Sequence, residues 1–284
     1  MLAVKSNLFD IKAITTVAGN STIENTTKNA RFILKVLNRE DIPVYSGSEK
    51  PLERELIQAN VHGESGLAGI NVQEKADLTK NAVEKIIEIA KEKDLTIIAI
   101  GPLTNIAKAI IKDPEAMKNV KELVIMGGAI NVPGNKNRVA EFNIFVDPEA
   151  ADIVFNFPIK KTLVPLDVCN NIKLQIEDFE KITNQIIRKP VLAMMEKFIQ
   201  GIYEYEGIKA ALVYDALAVY YLVNPGACKL ESLDIKIETK SELTRGMTVA
   251  DLRLKSDKTP NVNVIKFIDE NKFKRDFIDI LNKT

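Results

Sequence analysis

A carboxylate and two carboxamides stand close together in Asn135 and in Ala140-Glu141-Phe142-Asn143. Alternate residues of an extended segment share a side, so Glu141 and Asn143 face one way. Such a set suits a polyhydroxylated ligand, whose hydroxyls both donate and accept. It suits a ligand-free, hydrogen-bonded loop equally well. Tyr214-Asp215 heads the apolar run Ala216-Leu217-Ala218-Val219. There Asp215 reads as a helix cap, or as a metal ligand or an acid facing a cavity. His62, in Val61-His62-Gly63-Glu64-Ser65-Gly66, is the only histidine. A loop histidine is ordinarily just solvated, but a Ser-His-Asp triad could be built only around this one. A multi-histidine zinc site is excluded.

Three further stretches are turns. Gly101-Pro102-Leu103-Thr104-Asn105 follows an apolar run and opens a helical one. It presents backbone groups to a ligand, or serves as a tight turn with Thr104 or Asn105 as cap. No Gly-Lys-Ser/Thr follows, so it is not a phosphate loop. Met126-Gly127-Gly128-Ala129 lets a backbone approach a ligand closely, though any sharp turn uses paired glycines. Asp147-Pro148-Glu149 reads as a helix start, with Asp147 as N-cap and Pro148 at the first helical position.

The elements that must position these residues alternate. Strand patterns fall at residues 11–17, 42–45, 95–100, 123–126 and 162–166, with two more at 235–238 and 247–252. Helical patterns fall at 21–37, 81–93, 103–111 and 148–155, through most of 174–222, and at 272–281. Strands alternating with helices predict an α/β fold: a mostly parallel, Rossmann-like sheet flanked by helices in a single domain spanning residues 1–284. Ligands of such sheets bind beyond the carboxyl ends of the strands. That rule selects Asn20, the Gly101-Pro102 turn, Met126-Gly127-Gly128 and Asp167.

Composition narrows the partners. Lys+Arg and Asp+Glu balance at 39 each, so there is no basic excess to drive nucleic-acid binding. No segment approaches the roughly 20 apolar residues that span a bilayer, and Met1-Leu2-Ala3-Val4-Lys5 carries no leader pattern. Cys169 and Cys228 form neither a metal spacing nor a disulfide framework. A reducing, cytoplasmic compartment is the expectation.

Taken in order, the motifs resemble the inosine–uridine-preferring nucleoside hydrolases. The matching stretches are Ile14-Thr15-Thr16-Val17-Ala18-Gly19-Asn20, Asp41-Ile42-Pro43-Val44-Tyr45-Ser46-Gly47 and Gly101 to Ala107. Met126-Gly127-Gly128-Ala129 with Gly134-Asn135 follows, then Ala140 to Asn143 with Asp147 to Ala151, Asp215 to Ala218, and Thr244-Arg245-Gly246-Met247-Thr248. The resemblance implies a glycosidase of purine or pyrimidine salvage that cleaves the N-glycosidic bond of a small-molecule ribonucleoside to ribose and free base. It also implies calcium dependence and a homo-oligomer, dimer or tetramer.

Carried over by position, Asn20, Met126, Asn135, Glu141, Phe142 and Asn143 would line the ribose pocket. The Ile100 carbonyl and the Asp215 carboxylate would hold Ca2+, a hard cation suited to oxygen donors. Tyr214 and His62 would be the catalytic candidates, and the Tyr203/Tyr205 pair would lie near the base. Two departures stand out. The family opens with a strand ending in an Asp-x-Asp-x-x-x-Asp-Asp cluster that supplies the general base. Met1-Leu2-Ala3-Val4 corresponds to the helix after that cluster, so the expectation is an N-terminally shortened member lacking the family's first strand. Tyr214 stands where many relatives carry a histidine, and with a reference pKa near 10 it is a poorer acid for a purine leaving group. The alternative function is a catalytically inactive nucleoside-binding or scaffold protein.

Overall fold

The computed structural model describes residues 1–59, 63–68, 70–253 and 258–283. Among the described residues, nine strands form three sheets. β1 (Ile14–Thr15) and β2 (Val44–Tyr45) pair in parallel as a short ribbon. β3 (Thr96–Ala99), β4 (Glu122–Met126), β5 (Lys161–Val164), β6 (Cys228–Leu233) and β9 (Val262–Ile268) form a five-stranded sheet in the order β3-β4-β5-β9-β6. Its pairs are parallel except β6 with β9. β7 (Ile235–Ile237) and β8 (Thr248–Ala250) pair antiparallel. The fold is thus mixed α/β with a mostly parallel central sheet.

The five-stranded sheet has helices on both faces. Along β4 every residue is buried, and successive side chains point to opposite sides. Leu123 and Ile125 pack with Ile106, Ile110 and Val154 in one core, Val124 and Met126 with Leu217, Ile265 and Phe273 in the other. A continuous apolar run is what a strand covered on both faces requires.

Each expected strand pattern overlaps an observed strand. β6 and β9 carried no such pattern: in β9 Asn263 and Lys266 interrupt the apolar run, and four consecutive residues of β6 are exposed. The expected helices occur as Ile23–Val36, Ala82–Ala90, Thr104–Lys112, Pro148–Asn156 and Glu270–Asn282. The stretch 174–222 resolves into Ile176–Glu180, Gln185–Glu206 and Tyr214–Val223.

Among the described residues the β1–β2 ribbon makes no ladder bonds to the five-stranded sheet. Their carboxyl ends are nevertheless held together. The Asn105 amide donates to the Thr16 carbonyl at 2.8 Å and accepts from the Ser48 amide at 2.9 Å. A Cβ added to Gly19 would sit 2.8 Å from Pro102 Cδ, which only glycine avoids. Among the described residues no helix is long and apolar enough to cross a membrane.

Candidate functional site

A cavity of about 570 Å³ opens where the strands end. Asn20 reaches it from the loop after β1, Ile100 from the end of β3 and Met126 from the end of β4. Asn135 comes from the long loop that follows β4. Glu141, Phe142 and Asn143 come from the start of the short helix Phe142–Val146, and Tyr214 and Asp215 from the first turn of Tyr214–Val223. Nine of the ten candidate residues therefore border one space. The tenth, His62, lies outside the described residues.

The loop geometry explains how the polar wall is held. Glu141 is the N-cap of Phe142–Val146, its Oε2 accepting from the amides of Ile144 and Gly128, both at 3.2 Å. Asn135 Oδ1 accepts from the Phe142 amide at 2.9 Å, and Asn143 Nδ2 donates to the Met126 carbonyl at 3.2 Å. The loop-network and cavity-wall readings of these residues thus hold together. Gly128 sits at φ 79°, and a Cβ there would approach Thr248 Oγ1 to 2.8 Å. Glycine lets the strand turn back so that its amide reaches Glu141.

Asp215 is not the helix cap. Val213 holds that position and caps with no side-chain bond. Asp215 lies two residues further in, on the cavity wall, with its side chain exposed to that space. Desolvation by the cavity walls and the neighbouring charge of Glu141 push its carboxyl up to about 7. Glu141 is itself pushed to about 7 by burial, against the pull of the amides that bond it. Two carboxyls raised by one environment hold their protons near neutrality. The Tyr214 hydroxyl donates to Asn170 Oδ1 at 3.3 Å.

Other candidates turn out to serve the frame. Asp167 accepts from the amides of Ile130 and Asn131 at 2.9 and 2.8 Å and does not border the cavity. Asp147 caps Pro148–Asn156 and also accepts from the Thr104 hydroxyl at 2.6 Å and the Leu52 amide at 3.0 Å. Thr104 and Asn105 make internal bonds only. Of the tyrosine pair, Tyr205 borders the cavity, whereas Tyr203 packs under the Lys209 ammonium, 4.8 Å from its ring centre.

The apolar wall was not anticipated from sequence, apart from Tyr205. Met194, Met195, Phe198 and Ile202 of helix Gln185–Glu206 form it with Leu212. Its signal is the stripe 194, 198, 202 at helical spacing, which reads as ordinary core. The cavity thus offers carboxylates and carboxamides for hydroxyl groups, and methionine and aromatic side chains for a flat apolar ring.

A calcium ion takes six to eight oxygen ligands. The cavity offers the Asp215 carboxylate and the backbone at Ile100, while both Glu141 Oε2 bonds are committed to amides. Among the described residues no three His, Cys, Asp or Glu side chains are grouped to hold a metal. Among the described residues these donors do not amount to a calcium site.

Comparison with known proteins gives a consistent result. Residues 1–275 match the profile of a family described as inosine-uridine preferring nucleoside hydrolase. The pyrimidine-specific ribonucleoside hydrolase RihA of Shigella boydii serotype 4 (strain Sb227) is 38% identical over 99% of this chain and 91% of its own length. Among solved structures, the plant nucleoside hydrolase PpNRh1 superposes with a TM-score of 0.92 at 29% identity, covering 100% of this chain and 94% of its own. The purine-preferring ribonucleoside hydrolase from Gardnerella vaginalis gives 0.90 at 28%, covering 99% and 94%.

Proposed function

The chain belongs to the inosine-uridine preferring nucleoside hydrolase family, and from that premise we propose that its cavity binds a ribonucleoside, pyrimidine ribonucleosides by preference, and hydrolyses the N-glycosidic bond. The carrying observation is the joining of the polar and apolar walls around one space of nucleoside size. Asn20, Asn135, Glu141 and Asn143 would hold the ribose hydroxyls. Phe142, Met126 and the Met194–Phe198 stripe would flank sugar and base. RihA, the most similar protein named above, is pyrimidine-specific, which supports the base preference. So does Tyr214, a weak acid where an easily protonated purine would profit from a stronger one.

Cleavage leaves positive charge on the sugar, spread over C1′ and the ring oxygen, and a carboxylate nearby stabilises it. Asp215, open to the cavity, is the described group suited to that task. With its carboxyl near 7 it can also accept the proton of the attacking water, because a base works best when its pKa matches the operating pH. The products are ribose and free base. Tyr214 would steady the departing base by a hydrogen bond from its hydroxyl. Calcium dependence, a homo-oligomeric state and a cytoplasmic setting are what family resemblance suggests for the enzyme.

The test is release of ribose from uridine, cytidine, inosine and adenosine, measured as reducing sugar, for the wild type and Asp215→Asn. We expect uridine or cytidine to be the best substrate, with the variant slower by roughly 10²–10³-fold, the loss typical of one charge-stabilising group. An unchanged rate in the variant would remove Asp215 from the mechanism. A second reading is nucleoside binding without turnover. It is favoured by the proton-holding state of both carboxyls at neutral pH. Calorimetric uridine binding with no ribose released at pH 8 would establish it.

A further inference from the structure

The turn Thr244-Arg245-Gly246-Met247-Thr248 carries part of the family resemblance but borders no part of the nucleoside cavity. Its contacts nevertheless converge on Glu141, the carboxylate of the polar wall, along three routes. Upstream, the Arg245 carbonyl accepts from Asn137 Nδ2 at 3.1 Å, and Asn137 Oδ1 accepts from the Ala140 amide at 2.7 Å. Downstream, the Arg245 guanidinium lies 4.2 Å from the centre of the Phe145 ring, and the Phe145 amide donates to the Glu141 carbonyl at 2.9 Å. Gly246, at φ 78°, lets the turn lie against both: a Cβ there would meet Phe145 Cα at 2.8 Å and Ala140 Cβ at 3.1 Å. On the third route, Thr248 fills the space that a Cβ on Gly128 would need, and the Gly128 amide is the donor to Glu141 Oε2.

The turn keeps this place at a cost. Among the described residues, two buried side-chain polar atoms have no hydrogen-bond partner, and they are Arg245 Nε and Thr248 Oγ1. Thr248 is 1% exposed. Buried polar groups of native proteins are nearly always bonded, and an orphan among them destabilises the fold. Two orphans on one short turn mean that side-chain hydrogen bonds do not seat it. Shape does, through a planar cation stacked on an aromatic face and a threonine packed into the gap left by a glycine at positive φ. Local rules of stability are broken most often where a functional group has to be held. What this turn holds is the carboxylate that meets the ribose.

We propose that Arg245 and Thr248 are positioning residues for nucleoside binding: acting through Phe145 and Gly128, they fix Glu141 where it meets the ribose hydroxyls. The contact with ribose rests on the nucleoside reading of the cavity; the fixing of Glu141 does not.

Thr248→Val replaces the hydroxyl with a methyl of similar shape, which removes the orphan but presses a bulkier group on Gly128. We expect its melting temperature to match or exceed that of the wild type, while KM for uridine rises roughly three- to tenfold, the equivalent of one net hydrogen bond. kcat should stay within about threefold, because Asp215 stands on a different element, Tyr214–Val223. Thr248→Ser keeps the oxygen and should return KM to within about twofold of wild type. Arg245→Met keeps an apolar stem without the planar cation, and should raise KM by a similar factor with the melting temperature within about 3 °C of wild type. Exchange of the Gly128 amide with solvent, followed by NMR, reads its bond to Glu141 and should quicken at least threefold in Thr248→Val. A melting temperature several degrees lower in Thr248→Val would mean that the hydroxyl is bonded after all, and overturns the inference. Unchanged exchange and KM in Thr248→Val and Arg245→Met overturn it equally. Faster exchange with an unchanged KM overturns the contact with ribose alone. A wild type that neither binds nor cleaves uridine strikes the nucleoside reading, and the Gly128 exchange then decides whether the turn fixes Glu141.

Discussion

At the scale of single residues, Tyr214 opens the helix Tyr214–Val223 at the cavity wall, beside Asp215. Its hydroxyl donates to Asn170 Oδ1 at 3.3 Å, and by giving up that bond it can donate instead to a departing base without passing over a full proton at neutral pH. Tyr214→Phe removes that donor and keeps the ring. We expect kcat for uridine to fall about tenfold, within the usual 10–10²-fold range for a single transition-state hydrogen bond, while uridine affinity stays within a factor of two. Tyr214→His introduces a group that titrates near neutrality and should raise inosine turnover relative to uridine. Steady-state kinetics on both substrates read both variants. An equal loss of affinity and kcat in Tyr214→Phe would mean that the hydroxyl serves binding rather than cleavage.

At the scale of elements, the sequence exposed whatever repeats or punctuates and concealed whatever depends on distant partners. Strands β4 and β5, buried along their whole length, are covered on both faces, which is what lets β4 show as an apolar run; β3, at the sheet edge, is half-buried and still reads as apolar. β9 lies inside the same sheet, yet its Asn263 and Lys266 find partners only in the folded chain, Ser232 and Glu231 on the adjacent β6. The polar wall was legible because carboxamides and a carboxylate cluster in sequence. The methionine and phenylalanine wall was not, since a stripe on Gln185–Glu206 looks the same whether it faces a core or a cavity. Asn105 shows a further limit. It reads as a cap and proves to be a bracket, 5% exposed, that joins β1 to the loop after β2. Asn105→Ala leaves a buried carbonyl and a buried amide unpaired. At about 1–3 kcal/mol for each such group, we expect a loss of about 2–4 kcal/mol in urea unfolding, with a weaker apparent affinity for uridine through Asn20. A midpoint equal to wild type would show that water or a neighbour replaces both bonds.

At the scale of the whole molecule, the cavity sets a pH dependence of stability that a conventional surface would not. Glu141 is 2% exposed, and burial raises its carboxyl from 4.5 to about 7. The folded chain therefore binds a proton that the unfolded chain has already released. Between the unfolded value near 4.5 and the folded value near 7, stability falls as pH rises; below that window Glu141 contributes nothing to the slope, and above it the loss is complete. Asp147, raised by the same cause, adds in the same direction. Asp276 acts oppositely: bonds from Tyr220, Lys272 and Asn224 lower its carboxyl, so its contribution is present above the ordinary aspartate range and disappears on acidification. The two trends place the stability maximum near pH 5. Glu141→Gln keeps an oxygen for the amides of Gly128 and Ile144 and abolishes the titration. It should leave stability at pH 5 nearly unchanged and raise it at pH 8 by about 1–3 kcal/mol, the range allowed by 1.36 kcal/mol per pKa unit once relaxation is counted. Thermal unfolding at pH 5, 6.5 and 8 should show the wild-type Tm falling with pH and the variant's falling less, with uridine hydrolysis impaired in the variant. A parallel decline in both proteins would mean that Glu141 is ionised in the fold at neutral pH, and that its amide bonds outweigh its burial.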